Sequence, residues 1–83
     1  MDSELRQRIA DTICEEWEAS GRDIDSSAIY ERLLGEDERL RNDEFQEFMM
    51  ELIGANLISG IVYLGNVRIT DVDQALCEYP LNY

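Results

Sequence analysis

Nineteen carboxylates and seven arginines, with no lysine and no histidine, set the chemistry open to this chain of 83 residues. Adjacent acids such as Glu15-Glu16 and Asp37-Glu38 are the side chains that acid–base catalysis uses. That work needs a concave site and a perturbed pKa, and the spacing implies neither. Without histidine or lysine, only a carboxylate is left to activate a nucleophile. Asp71-Val72-Asp73 and Gly35-Glu36-Asp37-Glu38 lack the twelve-residue ligand spacing of a calcium loop. Cys14 and Cys77 have no close pairing and no histidine beside them, which argues against zinc. The usual redox rule makes them reduced packing residues. No glycine-rich phosphate loop occurs in the sequence. The expectation is a protein that is not an enzyme and holds no cofactor or metal.

Charge is the stronger signal. Formal net charge is −12, and from Asp23 to Glu51 ten acids face three arginines, a net of −7. The stretch from Asn42 to Asn56, which overlaps the end of that span, carries Asp43, Glu44, Glu47 and Glu51 and no basic residue. Such a field repels nucleic acid and anionic membranes and attracts basic surfaces. An acidic surface of this kind serves either plain solvation, as in a salt-adapted or GC-rich source, or the engagement of a positively charged partner. No segment approaches the roughly 20 apolar residues that span a bilayer. The opening MDSELRQR lacks the apolar run of a signal peptide. A cytoplasmic location without a membrane partner is expected.

These side chains must be positioned by a small fold. A hydrophobic content of 45% is ordinary for a globular protein, so the charge does not imply disorder. One domain spanning residues 1–83 is expected, burying only roughly 60% of its unfolded surface. Leu5, Ile9, Ile13 and Trp17 recur at i+4 and predict a first helix from Ser3 to Ala19, capped by Ser3 and ended at Gly21. A second helix is predicted over Ser26–Leu34. Asp25 or Ser26 caps it, and Ala28, Ile29, Leu33 and Leu34 face inward. The polar stretch from Gly35 to Asp43 reads as an exposed turn anchored by Leu40. A third helix starts at Asn42 or Asp43, which cap it. It buries Phe45, Phe48, Met49, Leu52 and Ile53, and closes at Asn56. Two β-rich runs, Ile61–Leu64 and Val67–Thr70, then flank Gly65-Asn66 as a two-residue turn, with Arg68 opposite in facing to Val67 and Ile69. Thr70 caps a last helix over Asp71–Glu78, with Val72, Ala75 and Leu76 inward.

The stretch FMMELIGANLISGIVYLGNVRITDVDQAL, from Phe48 to Leu76, resembles the run of helix, Leu-Ile-x-Gly, strand, tight wing, strand and helix in small winged helix-turn-helix regulators and phage proteins. The resemblance implies an α+β fold, mainly α: a three-helix core, a two-stranded β-hairpin wing and a short C-terminal helix. It also implies that the third helix enters the major groove, with Gln46 able to contact adenine and Glu47 cytosine. Phosphate contacts carry most affinity for DNA, and the donors so placed are Arg39 and Arg41 before the helix and Arg68 in the wing, with Tyr63 nearby.

Two readings follow. The first is an acidic binding module that contacts a basic protein through Asp43, Glu44, Gln46, Glu47, Met50 and Glu51. Occupation of a nucleic-acid-binding groove, as by some phage inhibitors, is one variant. Met50 is the apolar centre of that face, a residue type enriched at interfaces. The alternative is a dimeric DNA-binding regulator docking by Arg39, Arg41 and Arg68. A homodimer contact through the last helix and tail (Leu76, Cys77, Tyr79, Leu81, Tyr83) is equally compatible with those residues packing in the chain's own core.

Overall fold

The computed structural model describes residues 1–21, 23–36, 40–78 and 80–81. The chain is α+β and mainly helical. Helix α1 (Ser3–Ser20) is followed by the short strand β1 (Ile24–Asp25), helix α2 (Ser26–Leu34) and helix α3 (Asn42–Gly54). Strands β2 (Ile58–Tyr63) and β3 (Asn66–Val72) form a hairpin, and α4 (Gln74–Glu78) closes the chain.

Helix ends follow local chemistry. Asp2, not Ser3, caps α1: its Oδ1 accepts from the Leu5 N–H at 2.8 Å. Gly21, at φ +64, ends the helix by donating to the Trp17 carbonyl, a left-handed closure that a side chain would strain. Asp25 caps α2 by accepting from Ser27 at 2.9 Å. Helix α3 starts without a side-chain cap. Arg41 holds the cap position, so the expected caps Asn42 and Asp43 lie inside the first turn. There Asp43 accepts from the Glu44 N–H and meets the positive end of the helix dipole. Asn56, at φ +61, ends α3 in a Schellman closure, with Asn56 N–H on Ile53 and Leu57 N–H on Leu52.

The apolar stripes meet in one core. Ile9 and Ile13 of α1, Ile29 and Leu33 of α2, and Phe45, Phe48, Met49 and Leu52 of α3 are buried with Ile58, Val67 and Ile69 of the hairpin. Leu40 is buried and anchors the polar stretch, as expected. Trp17 and Ile53 pack only at the core's margin. Ala28 and Leu34 are exposed, contrary to expectation. Burial on α2 follows Ser26, Ile29 and Leu33, and the other two fall outside that stripe.

The sheet has three antiparallel strands in the order β1-β3-β2, one more than expected. Two residues, Ile24 and Asp25, pair with Ile69 and Arg68 and leave too short a run to be legible in the sequence. The hairpin turn is Leu64-Gly65, one residue earlier than expected, with both residues at positive φ (+46 and +77). The core sets that register. Val67 and Ile69 must face inward, and the Val67 N–H donates to the buried Ser26 hydroxyl at 2.9 Å, so Asn66 belongs to the strand opposite Tyr63. Gly60 sits beside a bulge at Ser59/Gly60. A Cβ there would lie 2.7 Å from the Val67 side chain and 2.8 Å from the Arg68 carbonyl oxygen. Strand β3 runs past Thr70 to Val72, where the sequence predicted helix. Asp73, not Thr70, starts the last helix by accepting from Ala75.

The cysteines also correct an expectation. Cys14 of α1 and Cys77 of α4 form a disulfide, with Cα atoms 5.8 Å apart. Two residues separated by 63 positions carry no sequence signal that they meet. The bond holds α4 on α1, and Leu76 is buried beside it. Further on, the Leu81 N–H donates to Gln7 of α1. Of the residues named for either a dimer contact or the chain's own core, Leu76 is buried in that core, Leu81 is half-buried and Cys77 is exposed. Tyr79 and Tyr83 lie outside the described residues.

Candidate functional site

The outer side of α3 follows from its periodicity. Once Phe45, Phe48, Met49 and Leu52 turn inward, Asp43, Glu47 and Met50 must turn out. Met50 is 48% exposed. Glu51 is also exposed, while Glu44 and Gln46 are half-buried. All six expected contact residues thus share one helix, but they divide into two groups.

Glu44 and Glu51 form the margin next to α1. The Glu44 carboxylate lies 3.8 Å from the chain's amino terminus, and that of Glu51 lies 3.6 Å from the Arg6 guanidinium. Arg6 also lies over the Phe48 ring at 5.5 Å, a cation–π contact that holds it in place. Sequence reading missed Arg6, because the contact joins two helices far apart in the chain. The outer strip is Asp43, Gln46, Glu47 and Met50. Asp43 pairs with Arg41 at 3.4 Å, both well exposed, a contact worth about 1 kcal/mol or less. Among the described residues, Glu47 has no ion-pair partner.

The expected DNA donors are placed differently. Arg39 lies outside the described residues. Arg41 is the partner of Asp43. Arg68 faces outward, as its position between Val67 and Ile69 required, but it lies over the Tyr63 ring at 5.9 Å. Register places Arg68 opposite Asp25, and the Tyr63 hydroxyl donates to the Asp25 carboxylate. The three residues bind the hairpin to the start of α2.

That cluster titrates predictably. The Tyr63 hydrogen bond, then the Ser27 N–H, outweigh burial and, with Arg68, hold Asp25 below its ordinary 3.8. The same bond, with desolvation, raises Tyr63 above its ordinary 10.0. A lowered carboxylate contributes stability that is complete above 3.8 and lost as pH falls through its folded value. A raised phenol contributes stability that is complete below 10.0 and lost as pH rises through its folded value. Asp25→Asn keeps a capping acceptor but removes the charge. We expect its thermal midpoint to fall below that of the native protein near neutral pH. The gap should close as pH drops below about 4. A gap independent of pH in melts followed by circular dichroism would show that the bond needs no ionised carboxylate.

An open depression of about 220 Å³ lies between α1 and α2, lined by Arg8, Asp11, Thr12, Glu15, Arg32 and Glu36. Its arginines are paired with carboxylates, and Asp11 accepts from the Gln7 side-chain amide at 2.9 Å. Arg8 meets Glu36 at 2.6 Å, and Arg32 spans Glu15 and Glu16 at 2.5 and 2.8 Å. The Thr12 hydroxyl donates to the Arg8 carbonyl. Among the described residues, no three metal-ligating side chains lie together, and no helix is long and apolar enough to cross a membrane. Comparison of the chain with protein-family models, curated proteins and solved structures finds no match.

Proposed function

We propose that this chain is a non-enzymatic, acidic winged-helix module that binds a basic protein through the outer strip of α3, in the manner of a nucleic-acid mimic. The observation that carries the reading is Met50, 48% exposed and set with Asp43, Gln46 and Glu47 on the outer strip of a helix without a cation. Asp43 and Glu47 lie four residues apart, a rise of about 6 Å, so they form a row beside Met50. An exposed apolar side chain within such a row supplies contact area, and the charges steer a basic surface toward it. The order of three helices, hairpin and short helix supports the winged-helix assignment, as does the way α3 turns its apolar side to the core. The net charge of −12 and the acids along α3 weigh against the DNA-binding regulator. A cytoplasmic location remains part of the proposal, although the Cys14–Cys77 bond counts against it.

Glu47→Arg is the clean test. Glu51→Arg would instead set a second guanidinium group against that of Arg6. Tagged native and Glu47→Arg proteins serve as baits in a lysate of the native host. The native bait should retain basic, nucleic-acid-binding proteins that added duplex DNA releases. The variant should retain them about tenfold less, equivalent to ~1.4 kcal/mol. Equal retention by both baits, or direct retardation of host DNA by the native protein, sinks the reading.

A further inference from the structure

Strand β2 is the outer strand of its sheet, since β3 lies between it and β1. One side of its backbone, from Ile58 to Tyr63, therefore has no strand partner among the described residues. Such edges invite pairing, and natural proteins block them with lysine, proline or inward charges. The sequence ISGIVYLG from Ile58 to Gly65 contains none of these. The bulge at Ser59/Gly60 interrupts only its first part.

The side chains agree with the backbone. Ile61, Val62 and Leu64 are 60%, 54% and 94% exposed. Ile61 points to one face of the hairpin and Val62 to the other, because side chains alternate along a strand. Apolar exposure of this extent at one end of a chain so rich in charge marks a contact surface.

Charge distribution selects the occupant. No Asp or Glu occurs between Glu51 and Asp71, and the single charged side chain there is Arg68, opposite Ile61 in register. Strand β2 thus carries no charge on a molecule of net charge −12, and its neighbour β3 carries only Arg68, which faces Asp25, and Asp71. A basic partner is drawn to the helices and not to this edge. An acidic chain meets its least repulsion here, and the acidic chain always at hand is a second copy. We propose that two copies pair β2 to β2 in antiparallel fashion, joining two three-stranded sheets across a twofold axis. Such a contact is self-complementary and closes at the dimer. It leaves the outer strip of α3 free, so it neither requires nor excludes the function proposed above.

A six-residue edge is small beside a standard interface of about 1,600 Å², so the dimer should be weak. Sedimentation velocity of the native protein from about 10 μM to about 1 mM covers the range of weak complexes. The expected result is a rise in mass from 9.6 kDa toward twice that value. Salt should raise the dimer fraction, because shortening the Debye length from about 10 Å to about 3 Å screens the mutual repulsion of two acidic chains. Ile61→Lys and Val62→Lys, both at exposed positions, should leave a monomer at every concentration, whereas Glu47→Arg should dimerise like the native protein. Amide exchange of the native protein decides the matter even if a lysine variant fails to fold: amides of β2 should slow with concentration, and those of β1 should not. A native protein that stays monomeric, a dimer that salt dissociates, or a dimer without protection of β2 overturns the proposal.

Discussion

Removing the disulfide should cost this protein about 4 kcal/mol. The bond closes a loop with a sequence separation of 63, and for a loop of that size chain-entropy reasoning gives roughly 4 kcal/mol. A chain of 83 residues with stability of about 0.05–0.15 kcal/mol per residue has about 4–12 kcal/mol in total. The loss is therefore a large share. Cys14→Ala combined with Cys77→Ala should lower the thermal midpoint by roughly 15–30 °C, at 4–8 °C per kcal/mol for a domain of this size. Alanine is the right replacement, since Cys14 is buried and a serine hydroxyl there would add a desolvation penalty. The native protein under reducing conditions should melt with the double variant. Unchanged midpoints in both would mean that α4 is held by Leu76 and the Asp73 N–H to Leu57 carbonyl bond alone. The same cysteines test the proposed compartment. Disulfides are rare in a reducing cytosol, so a cytosolic chain would show both thiols free to rapid alkylation in living cells and would lack this bond there. A fully oxidised pair would move the protein to an oxidising compartment.

Phe45→Ala should be comparably damaging, at about 3–5 kcal/mol. Phe45 is fully buried, and its ring lies 5.3 Å from that of Tyr30 at a tilt of 52°, a geometry that adds to its area of burial. It stands in the first turn of α3, against α2, so its loss loosens the joint that aims the outer strip. Urea unfolding measures the change. Glu47→Ala, two residues along and outward, is the control and should stay within about 0.5 kcal/mol of the native protein. A Phe45→Ala variant that loses under about 1 kcal/mol would mean that the core collapses around the vacancy.

Helix α3 was the most legible part of the molecule. Phe45, Phe48, Met49 and Leu52 are buried and Glu47 and Met50 exposed, as a period of 3.6 dictates. The bounds of α2 were readable for a similar reason: Asp25 caps it and Gly35 follows it. The hairpin was readable as a pair of strands but not in register. Gly65-Asn66 has the better local turn chemistry. What moved the turn to Leu64-Gly65 is distant from it: the inward facing of Val67 and Ile69 and the Ser26 hydroxyl that takes the Val67 N–H. Helix α4 was misplaced because Asp71 and Val72 pair with Ser59 and Ile58, a sheet contact that outweighs the capping signal of Thr70.

By itself, the sequence determined what is local or additive. Net charge, the absence of lysine and histidine, the amphipathic faces of the helices and the acid-free run from Leu52 to Thr70 all follow from residue types at short spacing. Only the tertiary structure decided what depends on distant segments meeting. Cys14 bonds to Cys77, Arg6 reaches Glu51, and Tyr63 donates to Asp25. The third strand exists because Ile24 and Asp25 find β3, and that pairing leaves β2 at the edge. The physical reason is the same in each case. Helical and strand periods repeat within a few residues and can be read along the chain. A contact across tens of residues is selected by the packing of the whole core, to which no single stretch of sequence holds the key.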